Sequence, residues 1–168
     1  MSDVTEPDTN LWRVAADDPA LHDVLVLVRA AFQDMDGRID PPSSVHHLTV
    51  DSMQAHCRKG GEVWAIGQAP VGCMFLTPKP TALHLGKLAV REDRRGHGLC
   101  RALVDHAERR AIVLGLPALE LETRVELNEI HRVFSRLGFT VVNTGTHTGY
   151  TEPTEYQLRK VISSSADS

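Results

Sequence analysis

The sequence predicts a mixed α/β (α+β) fold in one domain. Short apolar runs rich in β-branched residues alternate with longer segments of helical period. No internal repeat and no linker interrupts residues 10–162. A chain of 168 residues suits a single core, burying roughly 70% of its unfolded surface.

The elements follow in order. Residues 1–9 are polar and expected to be flexible, as is the Ser-Ser-Ser-Ala-Asp-Ser tail at 163–168. Residues 11–16 read as a first strand. Pro19 stands near the start of a helix running to about Phe32, with Leu21, Val24, Leu25 and Val28 at helical spacing. Residues 33–42, with Gly37, Pro41 and Pro42, form a loop. Ser43 or Ser44 caps a second helix that ends by Gly60-Gly61 and carries His46, His47, His56 and Cys57. Residues 63–66 and 71–77 make a hairpin across Gln68-Ala69-Pro70, and 81–90 a further strand. A helix over 98–114 sets Leu99, Leu103, Ala107, Ala111 and Leu114 on one face and stops at Gly115. Then come a strand at 118–123, a helix at 126–137 stopped by Gly138, and strands at 139–142 and 156–161.

Composition narrows the function. The chain is 42% hydrophobic and 24% charged, as in ordinary globular proteins. A net charge of -4 argues against nucleic acid as a partner. No apolar run reaches membrane-spanning length, and the polar, acidic N-terminus has no secretory pattern, so no membrane partner is expected. Cys57, Cys73 and Cys100 are an odd set without paired spacing, which suits free thiols in a reducing cytoplasm. His46, His47 and His56 lack an i, i+4 pair, and zinc needs three or four converging ligands, so no metal is expected.

The segment from Leu88 to Arg101 carries the chemistry. An apolar strand end passes through a charged turn into Arg95-Gly96-His97-Gly98, which opens directly into a helix. Two glycines let backbone amides approach a ligand, and the helix start adds unpaired N–H groups at the positive end of its dipole. With Arg94 and Arg95 alongside, this reads as a pyrophosphate site, the alternative being a tight strand-to-helix turn with two solvated arginines. A nucleotide-binding protein using this turn is a weaker rival, and the absence of Gly-Lys-Ser/Thr at the helix start argues against a P-loop.

After this loop come a long helix, the strand Leu119-Glu120-Leu121-Glu122-Thr123, a short helix, and Phe134-Ser135-Arg136-Leu137-Gly138-Phe139. In this order the chain resembles the GNAT superfamily of acyl-CoA-dependent N-acetyltransferases. Arg95, Gly98 and Cys100 fill that family's Gln/Arg-x-x-Gly-x-Gly/Ala signature, with Cys100 in place of the final small residue. Phe134 and Leu137-Gly138-Phe139 fill its second signature. The match runs over about residues 83–162.

The resemblance implies a mostly antiparallel central sheet of six to seven strands with about four flanking helices. The sheet is splayed between the fourth and fifth strands, where acetyl-CoA lies. Leu88, Ala89 and Val90 would then offer backbone to the pantetheine arm as an added strand does. Arg95, Gly96, His97, Gly98, Leu99, Cys100 and Arg101 would hold the pyrophosphate, with His131 and Phe134 near the cofactor. Leu127 stands where the family carries an Asn.

Acetyl transfer to an amine asks for three groups. Removing a proton from a lysine-like amine of pKa ~10.4 at pH 7 costs roughly 4–5 kcal/mol. The thioester oxyanion needs a fixed donor, commonly a backbone N–H. The leaving thiolate needs a proton or a stabilising field. His84 is the first candidate base: strand alternation puts it on the face of Gly86, Leu88 and Val90, and histidine titrates in the right range. Glu122 on the neighbouring strand is the second. Many family members have Tyr where Phe134 stands, and Phe cannot donate a proton. Either Tyr150 supplies the acid, or the thiolate leaves aided by local dipoles alone. Cys100, at a helix N-terminus, is placed for a lowered pKa. Family members transfer acetyl directly, so it is not expected to act as a nucleophile.

For the acceptor, the resemblance points to the loop between the first two helices, with Phe32, Met35, Asp36, Arg38 and Asp40. Arg124 adds a planar fork suited to a carboxylate. A substrate with both amine and carboxylate suits these groups. The expected function is transfer from acetyl-CoA to a primary amine of a small molecule or peptide, and a homodimer is left open. The alternative is a non-catalytic acyl-CoA-binding sensor or partner module.

Overall fold

The computed structural model describes residues 10–162, and the two termini expected to be flexible lie outside the described residues. Strands β1 (Leu11–Arg13), β2 (Glu62–Ile66), β3 (Gly72–Pro78) and β4 (Leu83–Val90) are neighbours in an antiparallel array. Helix α1 (Ala20–Gln33) and helix α2 (Val50–Arg58) lie between β1 and β2 in sequence. Helix α3 (Leu99–Leu114) carries the chain from β4 to β5 (Ala118–Arg124), which runs parallel to β4. A parallel pair requires such a long crossover. After α4 (Asn128–Arg136) come β6 (Thr140–Gly145) and β7 (Glu155–Val161), and β7 inserts between β5 and β6. The described residues form one seven-stranded mixed sheet of order β1-β2-β3-β4-β5-β7-β6 with four α-helices.

Strand β4 is irregular on both of its edges. Its ladder to β5 contains only Leu83↔Leu119 and His84↔Glu120, beyond which the two strands part. On the other edge, a bulge interrupts its pairing with β3. Gly86 pairs Phe75 and Ala89 pairs Cys73, so Lys87 and Leu88 together oppose the single residue Met74. Lys87 takes φ 50°, left-handed backbone that a side chain enters reluctantly.

An extra residue exchanges the faces of everything after it. Leu83 and Leu85 belong to one core cluster with Leu99, Leu103, Leu119, Leu121 and Phe134, under α3 and α4. Leu88 and Val90 pack on this same cluster, while Ala89 joins Val24, Val28, Met53, Cys73 and Phe75 under α1 and α2. His84 therefore shares a face with Gly86 but not with Leu88 and Val90. Simple alternation fails here because it takes no account of the bulge.

Local capping corrects the second helix. Ser43 caps a 3₁₀ turn over Ser44–His47, accepting from Val45 N at 3.1 Å. The α-helix begins only after Thr49, whose hydroxyl accepts from Ser52 N while Ser52 Oγ accepts from Thr49 N. His46 and His47 are thus not on the helix that carries His56 and Cys57. Strand β1 ends at Arg13, and α4 starts at Asn128 rather than 126.

Away from the gap, Glu62 is buried at 3% exposure. Arg110 of α3 grips it with two hydrogen bonds of 2.9 and 2.5 Å, and Trp64 Nε1 donates a third at 2.8 Å. Burial opposes ionisation, but these donors outweigh it and hold the carboxyl below its usual range.

Candidate active site

The parting of β4 and β5 opens a cleft of about 740 Å³. One wall is β4 from His84 to Val90, and the other is β5 from Leu121 to Arg124. The floor is apolar, built from Leu99 and Cys100 of α3 and Ile130, Val133 and Phe134 of α4. Arg94, Arg95, Gly96 and Gly98 line it from the start of α3, and Phe32, Met35 and Arg38 from the end of α1 and the loop after it.

Gly96 and Gly98 both adopt φ +81°, and a Cβ on either would meet no atom within 4 Å. The space beside this backbone is open, and only the conformation demands glycine. Gly98 is the N-cap of α3 and offers no side-chain cap, so amides of the first turn are left for another acceptor. Arg94 adds a buried Nη2 with no hydrogen-bond partner. Arg95 is exposed and sits 3.7 Å from Asp34 at the end of α1.

Where the strands part, His84 Nε2 lies 2.7 Å from Glu122 Oε1. With Nε2 engaged by the carboxylate, Nδ1 is the remaining ring nitrogen, and it faces the empty side of Gly86. The hydrogen bond from His84 holds the Glu122 carboxyl below its usual range, against a smaller opposing effect of burial. Lys87 Nζ leans toward β3, 5.9 Å from the Phe75 ring, and burial lowers its pKa.

The loop after α1 closes one side of the cleft through contacts distant in sequence. Arg38 pairs with Glu129 at 2.5 Å, and the Tyr150 hydroxyl donates to Asp40 Oδ1 at 2.5 Å. Arg124 donates to the carbonyls of Pro41 and Pro42. Tyr150, His97, Arg101, His131, Asp36 and Asp40 do not line the cleft, whereas the other expected site residues do. His131 Nε2 instead sits 3.0 Å from the Arg124 carbonyl. Burial pushes the Cys100 thiol up to about 11, overriding the lowering expected from its place at a helix start. Thr123 went unnoticed in the sequence. It lines the cleft at 6% exposure, and its Oγ1 has no hydrogen-bond partner. Among the described residues, no three His, Cys, Asp or Glu side chains converge to hold a metal ion.

The family model described as the acetyltransferase (GNAT) family matches residues 26–139. The chain belongs to the GNAT acetyltransferase family. Solved GNAT-like structures share the fold. An acetyltransferase from Streptococcus agalactiae has TM-score 0.72 at 15% identity, covering 92% of this chain and 99% of that one. A GNAT-family acetyltransferase from Staphylococcus aureus has TM-score 0.70 at 11% identity, covering 91% and 99%. An aminoglycoside 6'-N-acetyltransferase solved with coenzyme A has TM-score 0.70 at 16% identity, covering 91% and 97%. No curated protein matches the sequence. Within the GNAT fold, the parting of β4 and β5 and the Arg94–Gly98 turn fall where the sequence motifs put them. No described helix is long and apolar enough to cross a membrane.

Proposed function

We propose that this chain transfers the acetyl group of acetyl-CoA to a primary amine of a small molecule or peptide, with His84 and Glu122 taking up the amine's proton. The observation that carries this is the 2.7 Å His84–Glu122 contact inside the cleft. Acetyl-CoA supplies an activated thioester, and the residues present fit it. Gly96, Gly98, the α3 N-terminus and the partnerless Arg94 Nη2 suit its pyrophosphate. The apolar Leu88, Val90 and Phe134 wall suits its pantetheine arm.

The chain's own groups then divide the work. Glu122 accepts from His84 Nε2 and fixes the tautomer that leaves Nδ1 basic. The bulge takes Lys87 and Leu88 out of the β3 register beside the cleft, and their backbone N–H groups are the donors assigned to the thioester oxygen. The Phe134 ring packs edge-on against Phe139 at 5.5 Å and has no proton to give.

The acceptor follows from which charges are already engaged. Arg124 is bound to the Pro41 and Pro42 carbonyls, and Arg38 to Glu129. Both guanidinium groups are thus already engaged, which favours an acceptor that does not call on them for a carboxylate. Glu122 and Glu155 line the same side. A cationic amine without a carboxylate fits best.

The test is an amine screen with acetyl-CoA, reading free thiol, alongside thermal unfolding with and without acetyl-CoA. A raised melting temperature with thiol release on amine addition supports the proposal. Binding without release for any amine supports the sensor alternative, and no binding at millimolar acetyl-CoA removes both.

A further inference from the structure

Thr123 is an anomaly in the cleft wall. A buried hydroxyl without a partner carries an uncompensated desolvation penalty, and native structures retain few. Arg94 Nη2 and His106 Nε2 are the other such side-chain atoms among the described residues. His106 lies away from the cleft against Trp64, and Arg94 belongs to the proposed pyrophosphate end. Thr123 is neither, and its neighbours say which part of a ligand it would meet.

It follows Glu122 directly, so it stands level with the His84–Glu122 pair but on the opposite face of β5. That face carries Leu119 and Leu121, which pack with Leu99 and Phe134. The ladder to β4 ends at Glu120, so Thr123 lies in the parted region, where no β4 residue pairs with it. Its strand partner on the other side is Tyr156 of β7. The same cleft is lined by the apolar Leu121, Leu127, Ile130 and Phe134, and its polar Glu122 and Arg124 adjoin Thr123 in sequence on the opposite face of β5.

We propose that the Thr123 hydroxyl donates a hydrogen bond to the sulfur of coenzyme A, filling the donor role that Phe134 cannot. This rests on the acetyl-CoA assignment above. A hydroxyl that donates to sulfur favours thiolate over thiol, because hydrogen bonds to an ionised acceptor are about twice as strong. It keeps its own proton and needs no shifted pKa.

The experiment measures calorimetric affinity for CoA and for desulfo-CoA from pH 7 to about 10, across the ordinary thiol range near 8.5. The ratio of the two affinities cancels every group that both ligands share. In wild type the ratio should rise roughly tenfold with pH, the size of one charge-assisted hydrogen bond. In Thr123→Val the ratio should stay flat while desulfo-CoA binding is unchanged, and Thr123→Ser should restore the rise. A flat ratio in wild type overturns the proposal without any variant. So does a rise that survives in Thr123→Val, or one abolished by Cys100→Ala, which would make the neighbouring thiol the donor. If wild type binds neither ligand, the acetyl-CoA assignment itself fails.

Discussion

His84 and Glu122 meet at 2.7 Å one step beyond the last rung that joins β4 to β5, although they are 38 residues apart in sequence. His84↔Glu120 is that rung, and Glu122 is the next residue of β5 on the same face. The contact therefore bridges the two strands where their backbones have begun to separate. In the proposed reaction, His84→Ala should lower kcat/KM roughly 10²–10⁴-fold and leave CoA affinity within a few-fold. Steady-state kinetics with an amine found by the screen, plus calorimetry with CoA, check this. A variant with wild-type turnover would make the pair structural.

The same contact leaves a mark on acid stability. Glu122 has a folded pKa depressed chiefly by the His84 hydrogen bond. A depressed carboxyl stabilises the fold above its unfolded pKa of about 4.3, and that contribution is lost as pH falls through the folded value. In His84→Ala the depression is removed. Urea unfolding between pH about 5 and about 3 should show wild type losing more stability than the variant. Equal slopes would mean the hydrogen bond contributes nothing to folding.

Gly98→Asp should abolish CoA binding while the chain still folds. The position has φ +81° and open space, so the fold loses only about 1 kcal/mol from left-handed strain. A carboxylate at the α3 N-terminus would repel pyrophosphate at short range. Circular dichroism and a CoA titration on the same sample decide it, and unchanged affinity would show that the turn is only a connection.

Arg110→Ala tests the buried ion pair on the far side of β2. Removing the guanidinium strands Glu62 with Trp64 and, at 3.9 Å, a half-exposed Arg13. The expected cost is about 3 kcal/mol or more in urea unfolding. Adding Glu62→Leu should recover part of it, because the uncompensated charge is then gone. A loss under about 1 kcal/mol would show that Arg13 suffices.

Element order was legible in the sequence because apolar periods and glycine stops are local signals, as in α3 between Gly98 and Gly115. The Arg95–Gly98 turn was legible for the same reason. Thr49 escaped notice because Ser43 and Ser44 offer the same capping chemistry a few residues earlier. The β4 bulge was hidden because Lys87 carries no glycine or proline to betray its positive φ. Arg38–Glu129 and Tyr150–Asp40 join residues 91 and 110 positions apart, and no spacing rule reaches that far. The fates of Arg38, Arg124 and Tyr150 were therefore invisible until the chain was folded.

The two-rung junction of β4 with β5 has a mechanical consequence. Under α3 and α4 the halves of the sheet share one cluster, which runs from Met74 and Leu76 across to Leu119 and Leu158. The opposite face has no such span, since the cluster under α1 and α2 contains strand residues from the β1–β4 half alone. The sheet thus resembles a book bound along one cover. Small rotations about Leu83 and Leu119 would widen or narrow the gap at little cost in buried surface, and a ligand laid between the open edges would act as a wedge that fixes the angle. Stiffness across this seam would then belong to the complex, so pulling the two halves apart should need more force with CoA present than without it.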